Sequence, residues 1–300
     1  MSDNDIDPAA VASPKVFLGY DQEALDRAYD QRAWAPNAKD IIDWYAVASA
    51  TARNRLVCER DIAYGKGEDE RFDFFPTSRP DAPVVVYVHG GAWRLLSKEE
   101  SAFAAEAFVA SGASFVALDF SITPKVRLPE MAAQVRRALV WLWRNGDSHG
   151  INRNRLYLCG HSSGAHLTAT TLVTDWTPFE DLPRDFIKGA VCASGSYDLQ
   201  AVMLSARGHY LNLDDAEEEA LSPQRHVEML ECPIVVAYGE NESPEFQRQA
   251  RDFHAAIGRA GHAAELIVGE NLNHFEIVTT LARRDGLLAR AMLGLMGLTG

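Results

Sequence analysis

The sequence predicts an α/β fold in which a mainly parallel sheet is flanked by helices. Three observations carry this. Short apolar runs such as Val84-Val85-Val86-Tyr87-Val88 and Pro233-Ile234-Val235-Val236-Ala237 read as strands buried on both faces. These runs alternate with segments of helical spacing, the pattern of a parallel sheet with crossover helices. At 300 residues, 47% hydrophobic and 24% charged, the chain can bury a core large enough to cover such a sheet.

Residues 1–54 read as a helical N-terminal extension of a single domain spanning 1–300, with Asn37 as a cap before Ile41, Ile42, Tyr45 and Ala48 on one face. Strands follow at 56–64, 72–75 and 84–88. Ser97-Lys98-Glu99-Glu100 has the form of a capping box and predicts a helix that carries Phe103, Ala104, Ala107 and Phe108. A strand at 114–120 precedes an amphipathic helix at 129–145, with Val135, Ala138, Leu139 and Leu142 inward. A strand at 155–159 then meets a turn and a helix from Ser163 onward. Strands at 187–193, 233–238 and 264–268, a helix at 246–260 and a C-terminal helix complete the series. The stretch 194–231 is long and helix-rich for a connection and is a candidate partial lid. Within it, Asp214-Asp215-Ala216-Glu217-Glu218-Glu219 reads as a solvated loop. The apolar run from Leu287 to Met296 can pack on the sheet or on a second subunit, so a homo-oligomer is an open expectation.

Charge and cysteine usage narrow the function classes. A formal net charge of -13 repels nucleic acid and anionic membrane surfaces. No apolar run approaches the roughly 20 residues of a membrane helix. The start, Met1-Ser2-Asp3-Asn4-Asp5, has no basic or apolar signal, which points to a cytoplasmic protein. Cys58, Cys159, Cys192 and Cys232 are widely spaced and predict neither disulfides nor a zinc site. No His pair has metal-ligand spacing, and no Gly-x-Gly-x-x-Gly follows a strand, so neither metal nor cofactor is expected.

The residues that carry chemistry begin with Gly160-His161-Ser162-Ser163-Gly164, between an apolar strand and a helix. This G-x-S-x-G context is that of a nucleophile elbow, where flanking glycines permit a strained turn that raises the serine Oγ above the sheet. His89-Gly90-Gly91-Ala92-Trp93 directly follows the strand at 84–88. Its main chain can approach the serine closely, so the N–H groups of Gly91 and Ala92, with that of Ser163, are the candidate oxyanion hole, while Gly90 serves the turn. A serine needs a base, and the base an orienting carboxylate, because an unassisted hydroxyl is a weak nucleophile at neutral pH. His274, after the last strand, is the expected base. The strand ending at Gly239 is followed by three competing acids, of which Glu242 is chosen ahead of Glu240 and Glu245. His161 and His166 are expected to pack or cap. His149, His209, His226, His254 and His262 are assigned to surface segments.

With these residues assembled, the chain resembles the α/β-hydrolase superfamily, in its H-G-G-x-W branch, and within it the kynurenine formamidase (arylformamidase) family. Tyr29-Asp30-Gln31-Arg32-Ala33-Trp34, His89-Gly90-Gly91-Ala92-Trp93, Gly160-His161-Ser162-Ser163-Gly164-Ala165-His166-Leu167, Gly195-Ser196-Tyr197-Asp198-Leu199, Glu242-Ser243-Pro244-Glu245-Phe246 and Asn273-His274-Phe275-Glu276 carry the resemblance through most of the chain. It implies an α/β-hydrolase fold with Ser162, Glu242 and His274 as the triad. Many relatives have Asp where this chain has Glu242, and the extra methylene requires a slightly different loop geometry.

The resemblance implies a serine hydrolase that cleaves a small aryl formamide, of the N-formylkynurenine kind, to formate and the free aryl amine, with a place in tryptophan catabolism. Trp93, Tyr197 and Trp176 are candidates for an aromatic wall, with core packing as the alternative for each. A carboxylesterase with the same triad is the nearest rival reading. A non-catalytic ligand-binding module on a hydrolase scaffold is another.

Overall fold

Among the residues described by a computed structural model, 13–298, eight strands form one sheet. Residues 1–12, which include the acidic start and the beginning of the expected 1–54 extension, lie outside the described residues. The strands are β1 (Glu59–Ala63), β2 (Arg71–Phe75), β3 (Val84–Val88), β4 (Ser114–Leu118), β5 (Leu156–His161), β6 (Ile187–Ala193), β7 (Ile234–Gly239) and β8 (Ala264–Gly269). Their order is β1-β2-β4-β3-β5-β6-β7-β8, with β1, β2 and β4 paired antiparallel and every other neighbour parallel.

The helices are α1 (Gln22–Tyr29), α2 (Ala38–Arg55), α3 (Ala105–Ala110), α4 (Leu128–Asn145), α5 (Ser163–Leu172), α6 (Gln200–Leu204), α7 (Gly208–Leu211), α8 (Asp215–Ala220), α9 (Pro244–Arg259), α10 (Glu276–Thr279) and α11 (Leu287–Leu295). Alternation along β3 shows why its run is apolar throughout. Val84, Val86 and Val88 join the core built with α1, α4, α5 and α9, whereas Val85 and Tyr87 join the core built with α2, α3 and α11. The C-terminal run therefore has a partner within the chain: Leu288, Met292 and Leu293 are buried in that second core, and α11 packs on β6. No helix among the described residues is long and apolar enough to cross a membrane.

The sheet order positions the site. β3 has β4 on one side and β5 on the other, so the order reverses at β3 and the loops leaving β3 and β5 diverge above its carboxyl end. Such a reversal opens a crevice at the strand ends, where ligands of α/β sheets bind.

Several local expectations are corrected. The capping box at Ser97 forms, with Glu100 Oε2 accepting from the Ser97 N–H at 3.0 Å, but it closes only the short 3-10 turn Lys98–Glu100; the α-helix starts at Ala105. Asn37 does sit at the N-cap position of α2, yet its side chain makes no capping bond and is engaged elsewhere. The acidic run is not a loop. Asp214 caps α8 by accepting from the Glu217 N–H at 2.8 Å, and Glu217 reciprocates, so its charges stabilise a helix N-terminus.

The antiparallel edge is held by a buried ion cluster. Asp73 on β2 accepts from Arg53 Nε at 2.7 Å and the Asp61 N–H at 3.0 Å, and Lys98 Nζ lies at 3.1 Å. Burial alone would raise the Asp73 pKa, but these donors outweigh it and hold the carboxyl below its usual range. A group so depressed stabilises the fold above its unfolded pKa of about 3.9, and that stability is lost as pH falls through this value and below. Replacing Asp73 with Ala removes the buried carboxylate from Arg53 and Lys98, which keep only the more exposed Glu99 and Asp61, and should cost about 2–3 kcal/mol in urea denaturation. The acid limb of the stability profile should flatten in the same variant.

Candidate active site

β5 ends in a turn whose central residue, Ser162, has φ 56 and ψ -124, a left-handed conformation unusual for any residue but glycine. It is held there from both sides. The Ser162 N–H donates to Ala193 O at 2.9 Å, and its carbonyl accepts from Ala165 and His166 as α5 begins. Gly164 packs its α-carbon against the end of β3: a Cβ there would lie 2.1 Å from Val88 O and 2.4 Å from His89 O. The elbow and the loop after β3 are therefore in backbone contact.

That loop is itself contorted. Gly91 (φ 107), Ala92 (φ 55) and Trp93 (φ 60) follow one another at positive φ, and a Cβ on Gly91 would lie 2.0 Å from Leu95 O. Arg94 and Leu95 donate to Gly91 O at 3.1 and 2.9 Å, and the Trp93 N–H donates to Ser163 Oγ at 3.1 Å. Among the described residues, the N–H groups of Gly91, Ala92 and Ser163 have no protein acceptor. Gly91 and Ala92 line the cleft with Ser162, and Ser163 follows it in the chain, so free donors are available where a developing oxyanion would need them.

Three side chains from three loops meet here. His274 Nε2 is 3.0 Å from Ser162 Oγ, and His274 Nδ1 is 3.0 Å from Glu242 Oε2. All three residues are buried. Glu242 reaches this position through the turn Gly239-Glu240-Asn241-Glu242, closed by the Glu242 N–H donating to Gly239 O at 3.0 Å. Its other oxygen accepts from the Gly239 N–H at 2.7 Å and from Ser194 Oγ at 2.5 Å. A carboxylate so ligated is fixed in position and compensated for its burial. The rival acids are elsewhere. Glu240 is exposed and accepts from the Asn271 N–H at 2.9 Å. Glu245 lies in the first turn of α9, bound to Arg248 and to Tyr29 Oη.

The neighbouring histidines are structural. His161 Nε2 donates to His274 O at 2.8 Å, and its ring centroid lies 4.7 Å from that of His274. Burial and the adjacent His274 push the His161 pKa well down. His166 accepts from Trp93 Nε1 at 3.2 Å and donates to Leu221 O at 2.8 Å, and burial lowers its pKa to about 4. Both rings stay neutral near pH 7.

Ser162 and His274 open onto a cleft of about 810 Å³. The expected aromatic wall is not the observed one. Trp93 is buried beneath the loop, Tyr197 stacks on Phe253 with 4.1 Å between centroids, and Trp176 packs edge-on against Phe186. Tyr29, Tyr45, Tyr210 and Phe275 line the cleft instead. Among the described residues, no group of His, Cys, Asp or Glu could hold a metal ion.

Residues 74–257 match the family model BD-FAE. The chain belongs to this family. It is 39% identical over 293 residues to "Kynurenine formamidase" from Danio rerio, covering 92% of this chain and 97% of that protein. With "Kynurenine formamidase" from Salmo salar it shares 37% identity, covering 92% and 97%. A crystal structure titled a putative thioesterase, from Silicibacter sp. TM1040, superposes with a TM-score of 0.79 at 25% identity, covering 89% of this chain and 98% of that one. The chain thus shares a family with these kynurenine formamidases and is a hydrolase of the α/β-hydrolase superfamily.

Sequence reasoning did not find Ser194, although it directly follows β6 beside the elbow at φ 57, nor the N-terminal residues that close the cleft. The backbone contact at the elbow sets a paired test. Gly164→Ala drives a Cβ into backbone carbonyls and should destabilise the protein by about 2 kcal/mol or more. Gly258→Ala, on the exposed surface of α9 with open space around it, should stabilise by about 0.5–1 kcal/mol in the same denaturation assay.

Proposed function

We propose that this protein is a serine hydrolase that cleaves small aryl formamides of the N-formylkynurenine class to formate and the free aryl amine. The observation that carries the reading is the hydrogen-bonded chain Glu242–His274–Ser162, buried at the base of the cleft beside three unused N–H donors. Family membership alongside kynurenine formamidases matched over nearly their whole length supports the substrate class.

In this scheme Ser162 Oγ attacks the formyl carbon as His274 Nε2 takes the hydroxyl proton. Glu242 accepts from Nδ1–H, fixing the tautomer and stabilising the imidazolium. The N–H groups of Gly91, Ala92 and Ser163 receive the oxyanion, each worth about 3 kcal/mol if it behaves as a typical donor of this kind. The imidazolium then protonates the departing amine, because an amide anion is too poor a leaving group to go alone. Water, deprotonated by the same histidine, attacks the formyl ester and releases formate. The helical insertion 194–231 acts as a partial lid: Ser205, Ala206, Arg207 and Tyr210 belong to it and line the cleft. A small-molecule substrate, rather than nucleic acid or membrane, and a cytoplasmic setting complete the reading, in keeping with the acidic charge.

A carboxylesterase is the second reading, favoured by the fold shared with a putative thioesterase and by a catalytic apparatus that serves either leaving group. Comparing kcat/KM for N-formylkynurenine with a panel of short aryl esters separates them. The formamide should be the better substrate, and esters ahead by about a hundredfold or more reverse the order.

The wild type should be labelled at Ser162 by a fluorophosphonate, and Ser162→Ala should lose labelling and about 10⁴–10⁶ of kcat. A folded, unlabelled wild type would instead mark a non-catalytic binding module. Removing one donor to the Glu242 carboxylate, in Ser194→Ala, should lower kcat about tenfold while labelling at Ser162 persists.

A further inference from the structure

The wall of the cleft holds a guanidinium that the chain leaves without a counter-ion. Arg207 is half-buried at the N-cap position of α7 and lines the same cleft as Ser162 and His274. Among the described residues its side chain forms no ion pair, and its hydrogen bond is a single one, from Nη2 to Tyr29 O. Nε and Nη1 have no protein acceptor. Its carbon centre lies 5.5 Å from the Tyr29 ring centroid and 5.8 Å from those of Trp93 and Phe246. These rings fix the fork in place and leave its remaining donors unsatisfied.

Two other arginines with little exposure, Arg53 and Arg248, are treated differently. Arg53 meets Asp73 at 2.7 Å, and Arg248 meets Glu245 at 2.6 Å. The carboxylates that line the cleft are already engaged. Asp26 accepts from the Ala206 N–H and Gln22, Asp30 from the Arg32 N–H, and Glu100 from Ser97. Asp30 is the acid that Arg207 feels, but the two form no ion pair. Arg94, also in the lining, adds a second cation, stacked 4.9 Å from the Tyr210 ring centroid and likewise without a carboxylate partner. In a chain of net charge -13, Arg207 and Arg94, left without carboxylate partners at one cleft, are positioned for an anion from outside.

We infer that Arg207, supported by Arg94, forms a carboxylate subsite that anchors the acidic tail of an aryl substrate while its acyl group reaches Ser162. The inference deepens the proposed function and rests on it for the identity of the reacting group, not for the anion site. A planar fork with free Nε and Nη1 donors suits a carboxylate, which can take two parallel hydrogen bonds, and an ammonium would be repelled. The rings around the guanidinium exclude water and strengthen the pairing.

The test compares an ortho-formamido aryl ketone bearing a carboxylate tail with the same compound carrying a neutral methyl amide. Wild type should favour the acid by about tenfold or more in kcat/KM, and Arg207→Gln should bring that ratio to within about threefold, with Arg207→Lys intermediate. A ratio unchanged in Arg207→Gln overturns the subsite, even if both rates fall together. A second measurement needs neither a variant nor turnover. By calorimetry, wild type should bind 3-benzoylpropionate at least about tenfold more tightly than its methyl amide, a preference weakened by salt. Equal binding overturns the subsite. Preferential binding of the acid, with neither formamide hydrolysed, upholds it and overturns the formamidase reading instead.

Discussion

Every feature of the site depends on one costly backbone position. A left-handed residue with a Cβ is disfavoured by about 1–2 kcal/mol, and Ser162 is held there by contacts made on both sides of it. Its N–H is taken by β6, its carbonyl starts α5, and the next turn is pressed by Gly164 onto the end of β3. Because β3 is the strand at which the sheet order reverses, the loop that presents Gly91 and Ala92 leaves from the same place. Ser162 and the free N–H groups are thereby parts of one rigid backbone junction, the form of preorganisation that the proposed oxyanion stabilisation requires.

His274, the proposed base, is positioned with comparable redundancy, much of it by the N-terminal segment. Asn37, having no cap bond to make, donates to Glu276 Oε1 at 2.7 Å and accepts from Asn273 Nδ2 at 2.8 Å, bracketing the loop that carries His274. Tyr45 Oη donates to Phe275 O at 2.8 Å from the other flank, and His161 holds the His274 carbonyl from beneath. Gln31 donates to Ser243 Oγ beside Glu242. The electrostatics are consistent with this bracing. Two imidazoles with centroids 4.7 Å apart cannot both be charged cheaply, and His161, enclosed by protein, is the one that stays neutral. The proton gained during catalysis in the proposed scheme then belongs to His274, which has Glu242 to stabilise it.

Legibility in the sequence tracks the range of the forces involved. Strands buried on both faces announce themselves as apolar runs, and the elbow and the loop after β3 have glycines that local sterics demand. Hence the sheet is legible, as is the meeting of Ser162, His274 and the Gly91–Ala92 loop at one end of it. The choice of Glu242 ahead of Glu240 and Glu245 agrees with the geometry, but three glutamates within six residues look alike until the fold supplies their partners. Ser243 capping the Phe246 N–H at 3.3 Å, with Pro244 at the first helical position, draws Glu245 into α9 and leaves Glu242 in the turn that faces His274. The aromatic wall was misread for the same reason. Trp93 sits two residues from the free N–H of Gly91, but the left-handed run turns its ring under the loop to meet His166, and the cleft is closed by tyrosines far away in sequence. Capping boxes are local signals, and the structure holds two, one at Ser97 that the sequence reading names and one at Asp214 in the run it reads as a loop. The length of helix beyond a box is set by tertiary packing, so Ser97 opened a single 3-10 turn and Asp214 an α-helix.

The insertion between β6 and β7 connects these parts. Tyr210 on α7 donates from Oη to Ala92 O at 3.0 Å, and its ring carries the Arg94 guanidinium. The Ala92 carbonyl is therefore held by α7, while Arg207, at the start of the same helix, is tied to Tyr29 O in the N-terminal segment. Tyr29 in turn donates to Glu245 at the start of α9, the helix that follows the Glu242 turn. A displacement of α7 would disturb the Ala92 carbonyl anchor and the far wall of the cleft together. A substrate that reached both ends would hold α7 in the position that anchors the Ala92 carbonyl, so in the proposed scheme binding energy gained far from the reacting carbon can be used to stabilise the geometry in which it reacts.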